Sequence, residues 1–324
     1  MRALIPALFA NALVTFADGA ERDLSTRLKV PSIGEWNNVG VETPLGTMIG
    51  TDSEPRFGDG VEAFLGIQFA AVPDRFAKSM LLGKDDYGQL IDATDFGPFC
   101  WQAIQGIPYY EDQEQAEECL FLNIWRPSGT TPNSKLTIMV WIHGGGWGLG
   151  GAPEPPAWGH KLARDQHVMV ISINYRLGIF GFLATDEEGS NGMNAFDDQV
   201  NALEWIHRYA KYFGGNDKDV TIFGQDAGSG SVCYLSVNPL AQGLFHRGIM
   251  QSGECVVGDD RPDAIGLLPG EEGYDITLDI LDSLGAESIE DLADRDLFPA
   301  LEIATARQMV DPILDKSILP DFPS

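Results

Sequence analysis

Residues 220–228 read Val220-Thr221-Ile222-Phe223-Gly224-Gln225-Asp226-Ala227-Gly228: an apolar, β-rich run that enters a turn bounded by two glycines, with a helical segment following. A strand, a Gly-x-x-x-Gly turn and a helix form the arrangement that holds one residue out at the tip of a sheet. The turn is so tight that no Cβ fits beside the central residue, which here is Asp226. Upstream, Leu136-Thr137-Ile138-Met139-Val140-Trp141-Ile142 is a second apolar run, ending in His143-Gly144-Gly145-Gly146-Trp147. A glycine run at a strand end lets backbone N–H groups converge on one point. Gly145 and Gly146, joined by the N–H of Ala227, are therefore the candidate anion-stabilising pocket.

Residues 167–174 (HVMVISIN) and 247–251 (RGIMQ) read as further strands. Apolar runs without alternation indicate strands buried on both faces, as in a parallel sheet covered by helices. Between them, Val200, Leu203, Ile206, Ala210 and Phe213 recur at helical spacing. Asp197 and Asp198 suit the positive end of that helix dipole, and Gly214-Gly215 ends it. Residues 274–284 predict another helix, stopped by Gly285, and residues 288–293 a shorter one. Strand and helix in alternation give an α/β class with right-handed crossovers. The first hundred residues are expected to add small antiparallel strands at one edge.

The 324 residues include 48 acidic and 21 basic side chains, a formal charge of -27, which repels phosphate backbones and anionic headgroups and excludes a nucleic-acid binder. Arg2 followed by an apolar stretch with small residues near Ala17 predicts a cleaved secretory signal over residues 1–17, too short to span a bilayer. A single exported domain over residues 18–324 follows, with no membrane span. Four cysteines, Cys100, Cys119, Cys233 and Cys255, allow two disulfides. A Cys100–Cys119 bridge would be worth about 3 kcal/mol by chain entropy. No metal site is expected, since no pair has CxxC spacing and no histidine cluster accompanies them. No cofactor motif is present.

Several blocks in order resemble the carboxylesterase type B family of α/β-hydrolases, which includes cholinesterases and neuroligins. They are Glu117-Glu118-Cys119-Leu120-Phe121-Leu122-Asn123, Trp141 to Trp147, Asn174-Tyr175-Arg176-Leu177-Gly178, Asp198-Gln199, Phe213-Gly214-Gly215, Val220-Thr221, Gln251-Ser252-Gly253 and Leu319-Pro320-Asp321. The resemblance implies an α/β-hydrolase fold, with a mostly parallel central sheet flanked by helices and incomplete at its C-terminal side. It also implies ester-hydrolase ancestry and a Cys100–Cys119 disulfide. Cys233–Cys255 pairing and two unpaired thiols both stay open.

The departures decide the mechanism. The family's elbow carries a serine nucleophile preceded by glutamate, where this chain has Asp226 preceded by Gln225. Serine attack gives an ester that water can cleave, whereas a carboxylate attacking an ester would give a mixed anhydride. Asp226 is instead expected to sit in its own oxyanion hole, favoured by three N–H donors and a helix N-terminus. The family's acid and histidine belong to a part of the domain beyond the sequence in hand. His143, His160, His167, His207 and His246 read as structural or solvated. Ser229 and Ser231 follow the elbow inside the helix and do not read as displaced nucleophiles. Tyr109 and Tyr110 read as surface packing in the loop between Cys100 and Cys119.

The reading is thus a catalytically impaired, secreted carboxylesterase-like protein, a pseudoenzyme with a small ester or acyl molecule as its candidate ligand. A neuroligin-like adhesion domain and an active ester hydrolase with displaced or trans-supplied residues are the alternatives. An unpaired sheet edge after the QSG strand, prone to self-association or to a protein partner unless the acidic C-terminal helices cover it, is expected.

Overall fold

The computed structural model describes residues 37–102, 113–187, 189–253, 270–292 and 295–297, together with two short strands, Val14–Thr15 and Glu21–Arg22, which pair antiparallel. Apart from Val14–Thr15, the signal stretch over residues 1–17 lies outside the described residues, as do Tyr109, Tyr110, Cys255 and Leu319-Pro320-Asp321. Residues 1–36 and residues 37–324 form separate compact units.

The larger unit is built on nine strands: β1 (Asn37–Thr43), β2 (Gly46–Asp52), β3 (Val61–Gln68), β4 (Leu90–Asp92), β5 (Phe121–Pro127), β6 (Leu136–Ile142), β7 (Met169–Ile173), β8 (Gly215–Gln225) and β9 (Arg247–Gln251). Their order is β9-β8-β6-β7-β5-β3-β2-β1, with β4 parallel to β2. The sheet is mixed. The strands that carry the glycine motifs, β7, β6, β8 and β9, are mutually parallel, and β5, β3, β2 and β1 pair antiparallel. The expected parallel sheet therefore holds for the half that bears the site.

Helices α1 (His160–Gln166), α2 (Gly178–Phe182), α3 (Asn194–Tyr209), α4 (Ala227–Val237) and α5 (Gly270–Leu284) follow the strands. Side-chain alternation in the strands explains the two layers. Trp125 and Val170 face α1 through Ala163, while Ile124, Ile138, Val140, Ile171 and Ile222 meet Leu203, Trp205, Ile206 and Val232 of α3 and α4. α3 ends at Tyr209 and tightens into a 3-10 turn over Ala210–Phe213, which Gly214, with φ +86°, caps before β8. From β6 the chain passes through α1 to β7 on one side, and from β7 it returns through α2 and α3 to β8 on the other side of β6. The crevice at the carboxyl ends of β6 and β8 is thus a topological switch point, where open α/β sheets bind ligands.

Three expectations are corrected. Among the described residues β9 is the sheet edge, as the resemblance of the QSG block implies, but all five of its residues are exposed, so its apolar character does not mark burial on both faces. α5, which begins four residues earlier than the expected helix, covers Phe76, Ile179, Phe180 and Leu183 through Ile280 and Leu281, and not the β9 edge. His167 does not open a strand; at φ +55° it caps α1, its N–H donating to Ala163.

Candidate functional site

One residue separates β8 from α4. Asp226 adopts φ 57° and ψ -124°, a conformation rare for any residue but glycine. The surroundings impose it. A Cβ on Gly224 would lie 2.4 Å from the Gly228 oxygen, and one on Gly228 would lie 2.1 Å from the Ile142 oxygen. The two glycines let strand and helix close on the end of β6, and Asp226 takes up the turn.

The loop leaving β6 is the second half of the site. The Gly145 carbonyl accepts from the N–H groups of Gly148 and Leu149 at 3.1 and 3.0 Å, closing a tight turn. Gly145 and Gly146, both at positive φ, then aim their N–H groups at Asp226 Oδ2, at 2.8 and 3.0 Å. Partial burial opposes ionisation of Asp226. The N–H groups of Ala227, Gly145 and Gly146 outweigh it and hold the carboxyl below the ordinary aspartate range. The predicted Asp226, Gly145, Gly146 and Ala227 are all brought together.

The loop is held by residues from several blocks. Tyr175 donates its hydroxyl to the His143 carbonyl at 2.7 Å and stacks on the His143 ring, with centroids 4.2 Å apart. Burial pushes the His143 imidazole down to about 4, so it is neutral near pH 7, with Nδ1 against the Gly144 carbonyl at 2.9 Å. Trp147 Nε1 and Gln199 Nε2 both donate to Ser231 Oγ at 3.1 Å, which makes Ser231 a buried tie between loop, α3 and α4. Asn174 joins Ala152, just past the loop, to the carbonyls of Pro98 and Cys119. Arg176 makes a buried two-pronged ion pair with Asp198, at 2.8 Å for each prong, so Asp198 is not a solvated residue at the helix dipole. Residue types alone did not distinguish these clamps from ordinary polar positions. Only the block order hinted at them.

Ser229 is 1% exposed and its hydroxyl has no hydrogen-bond partner, so neither serine is offered to a substrate. Among the described residues no imidazole hydrogen-bonds to Asp226. His160 packs on Phe57 and Trp158, and His246 Nδ1 accepts from the Val220 N–H. The Cys100–Cys119 disulfide is present, and Cys233 is also disulfide-bonded. Among the described residues no cluster of His, Cys, Asp and Glu could hold a metal ion, and no helix is long and apolar enough to cross a membrane.

The model of the carboxylesterase family matches residues 37–324, a stretch that includes both the elbow and the glycine loop. The chain belongs to the carboxylesterase family. Carboxylesterase 5A of Felis catus is 33% identical over 346 aligned positions, covering 99% of this chain and 58% of that protein. Carboxylesterase 5A of Mus musculus is 41% identical over 208 positions, covering 61% and 36%. The crystal structure of the Geobacillus stearothermophilus carboxylesterase Est55 superposes with a TM-score of 0.75 at 31% identity, over 87% of this chain and 56% of that one. The chain thus spans between about a third and three-fifths of the length of the carboxylesterases it matches. The fold is that of the α/β-hydrolase carboxylesterases, and Asp226 stands at the tip of its elbow.

Proposed function

We propose that this chain is a carboxylesterase-family domain that does not turn over esters, because its own Asp226 carboxylate fills the anion-stabilising pocket. The observation that carries this is the pair of N–H bonds from Gly145 and Gly146 to Asp226 Oδ2. Ester hydrolysis needs those donors free for the oxyanion of the tetrahedral intermediate. Here they are engaged by an anion that is covalently tethered and already oriented, which a bimolecular ligand must displace at an entropic disadvantage. A carboxylate also carries no proton for a base to remove, and its attack on an ester would yield an anhydride.

The shelf around Asp226 is open, with Gly145, Gly146 and Gln225 exposed, so a small ester or acyl molecule is the ligand class it suits, held without turnover. Two disulfide-bonded segments support an oxidising compartment, in keeping with export by the stretch over residues 1–17. The test is hydrolysis of p-nitrophenyl acetate by the chain and by Asp226→Ala. Both are expected at the uncatalysed rate. Turnover by the unmodified chain that disappears in Asp226→Ala overturns the proposal.

A further inference from the structure

We propose that Gln102 is a positioning residue of the anion-stabilising pocket: its side-chain amide fixes the glycine loop and so sets how Gly145 and Gly146 meet Asp226. This rests on the reading that Asp226 occupies the pocket. Gln102 is 1% exposed, and its amide grips both polar groups of one backbone residue. Nε2 donates to the Gly150 carbonyl at 2.9 Å and the Gly150 N–H donates to Oε1 at 2.9 Å. Nε2 also donates to the Cys100 carbonyl at 3.0 Å, and the main-chain N–H of Gln102 donates to Gln115 Oε1 at 3.1 Å.

Both ends of this link are stiff. On one side, Cys100 is bonded to Cys119, and Phe99–Cys100 pairs in parallel with Gln115–Ala116. On the other, Gly150 packs directly on the start of the loop. A Cβ there would lie 2.5 Å from the Gly144 oxygen and 2.6 Å from His143 Nδ1. Any shift of Gly150 is therefore passed to His143 and Gly144, the residues that lead into the two donors. Tyr175 grips the loop at His143 and Ser231 grips it at Trp147, leaving the Gly150 end to Gln102.

The experiment uses the full chain labelled with 15N-glycine and follows the Gly145 and Gly146 amide signals as pH is lowered. The neighbouring His143 imidazole is pushed down to about 4 by burial, and Tyr175 feels both Asp226 and Glu154, so other groups can move the same signals. Asp226→Asn therefore serves to isolate the Asp226 contribution. In the unmodified chain the amides should follow Asp226 with a midpoint below about 3.9. Gln102→Met, similar in length but unable to hydrogen-bond, should raise that midpoint by about half a pH unit or more. Thr277→Val, which removes a buried hydroxyl bond from α5 to the Ala184 carbonyl and no bond to the glycine loop, should leave it unchanged even though stability falls. A folded Gln102→Met with an unaltered midpoint overturns the assignment. Should Gln102→Met not fold, Gln102→Asn, one methylene too short to reach Gly150, is scored in the same way. If the amides of the unmodified chain ignore Asp226, occupancy of the pocket fails and the role of Gln102 fails with it; that result is distinct from a shiftless Gln102 variant.

Discussion

Replacing Asp226 by Ala and by Gly separates the two opposing effects at the elbow. The carboxylate accepts N–H groups at 2.8 and 3.0 Å, but both donors are exposed and would be rehydrated on its loss. Each bond is therefore worth about 1 kcal/mol, below the range of about 1.5–3 kcal/mol for a charged partner because solvent screens it. Against this, the backbone at φ 57° and ψ -124° costs a non-glycine residue about 1–3 kcal/mol. Asp226→Ala loses the bonds and keeps the strain, so it should be about 2 kcal/mol less stable than the parent. Asp226→Gly loses the same bonds but releases the strain, less about 0.4–1 kcal/mol for the freer unfolded chain. It should lie within about 1 kcal/mol of the parent and above the Ala variant.

The pH dependence follows from the lowered carboxyl. The advantage of the parent over both variants is full above the unfolded aspartate value of about 3.9 and shrinks as pH falls through the lower folded value. Urea denaturation at pH 7 and again below about pH 4, comparing midpoints at constant slope, measures this. An Ala variant as stable as the Gly variant, or a parent advantage that is the same at both pH values, would refute the reasoning.

Asp198→Ala strands the buried Arg176 guanidinium and should cost about 3–5 kcal/mol in urea denaturation; a loss under about 1 kcal/mol would mean that the pair is solvated in solution. Ser231→Ala leaves the Trp147 and Gln199 N–H groups without their acceptor and should cost about 1–3 kcal/mol, with the tryptophan fluorescence altered. Along β9, the sheet edge among the described residues, Ile249 is 42% and Met250 49% exposed, and Ile249→Lys with Met250→Lys should reduce self-association on size exclusion without lowering the unfolding midpoint. A parent chain that already elutes as a stable monomer at high concentration would remove that expectation.

The elbow and the glycine loop were legible because their requirement is local. Gly224, Gly228, Gly144 and Gly145 are fixed by how close one backbone must come to another, and Gly146 by its positive φ, and glycine is the residue that permits both. α3 was legible from its period, though its end at Tyr209, ahead of a 3-10 turn capped by Gly214, was not; β7 was legible from its apolar run, though its start at Met169 was not. β9 misled as to burial because Ile249 and Met250 look like core residues; its place at the edge was read from the resemblance of the QSG block, since nothing within those five residues says it. The site's supports were hidden for a related reason. Gln102 and Ser231 are polar residues in no periodic pattern, and their meaning lies in partners 48 and 84 positions away.

The sequence by itself thus determined the class of fold, the order of its strands and helices in the chain, and that a carboxylate occupies the elbow, since each depends on residue type and short-range spacing. Only the tertiary structure decided that this carboxylate turns into the N–H groups of a loop 81 residues earlier, that Asp198 pairs with Arg176, and that α5 shields α2. Such outcomes depend on which distant segments share one volume. Desolvation and hydrogen-bond satisfaction are settled there, between side chains that no local window contains.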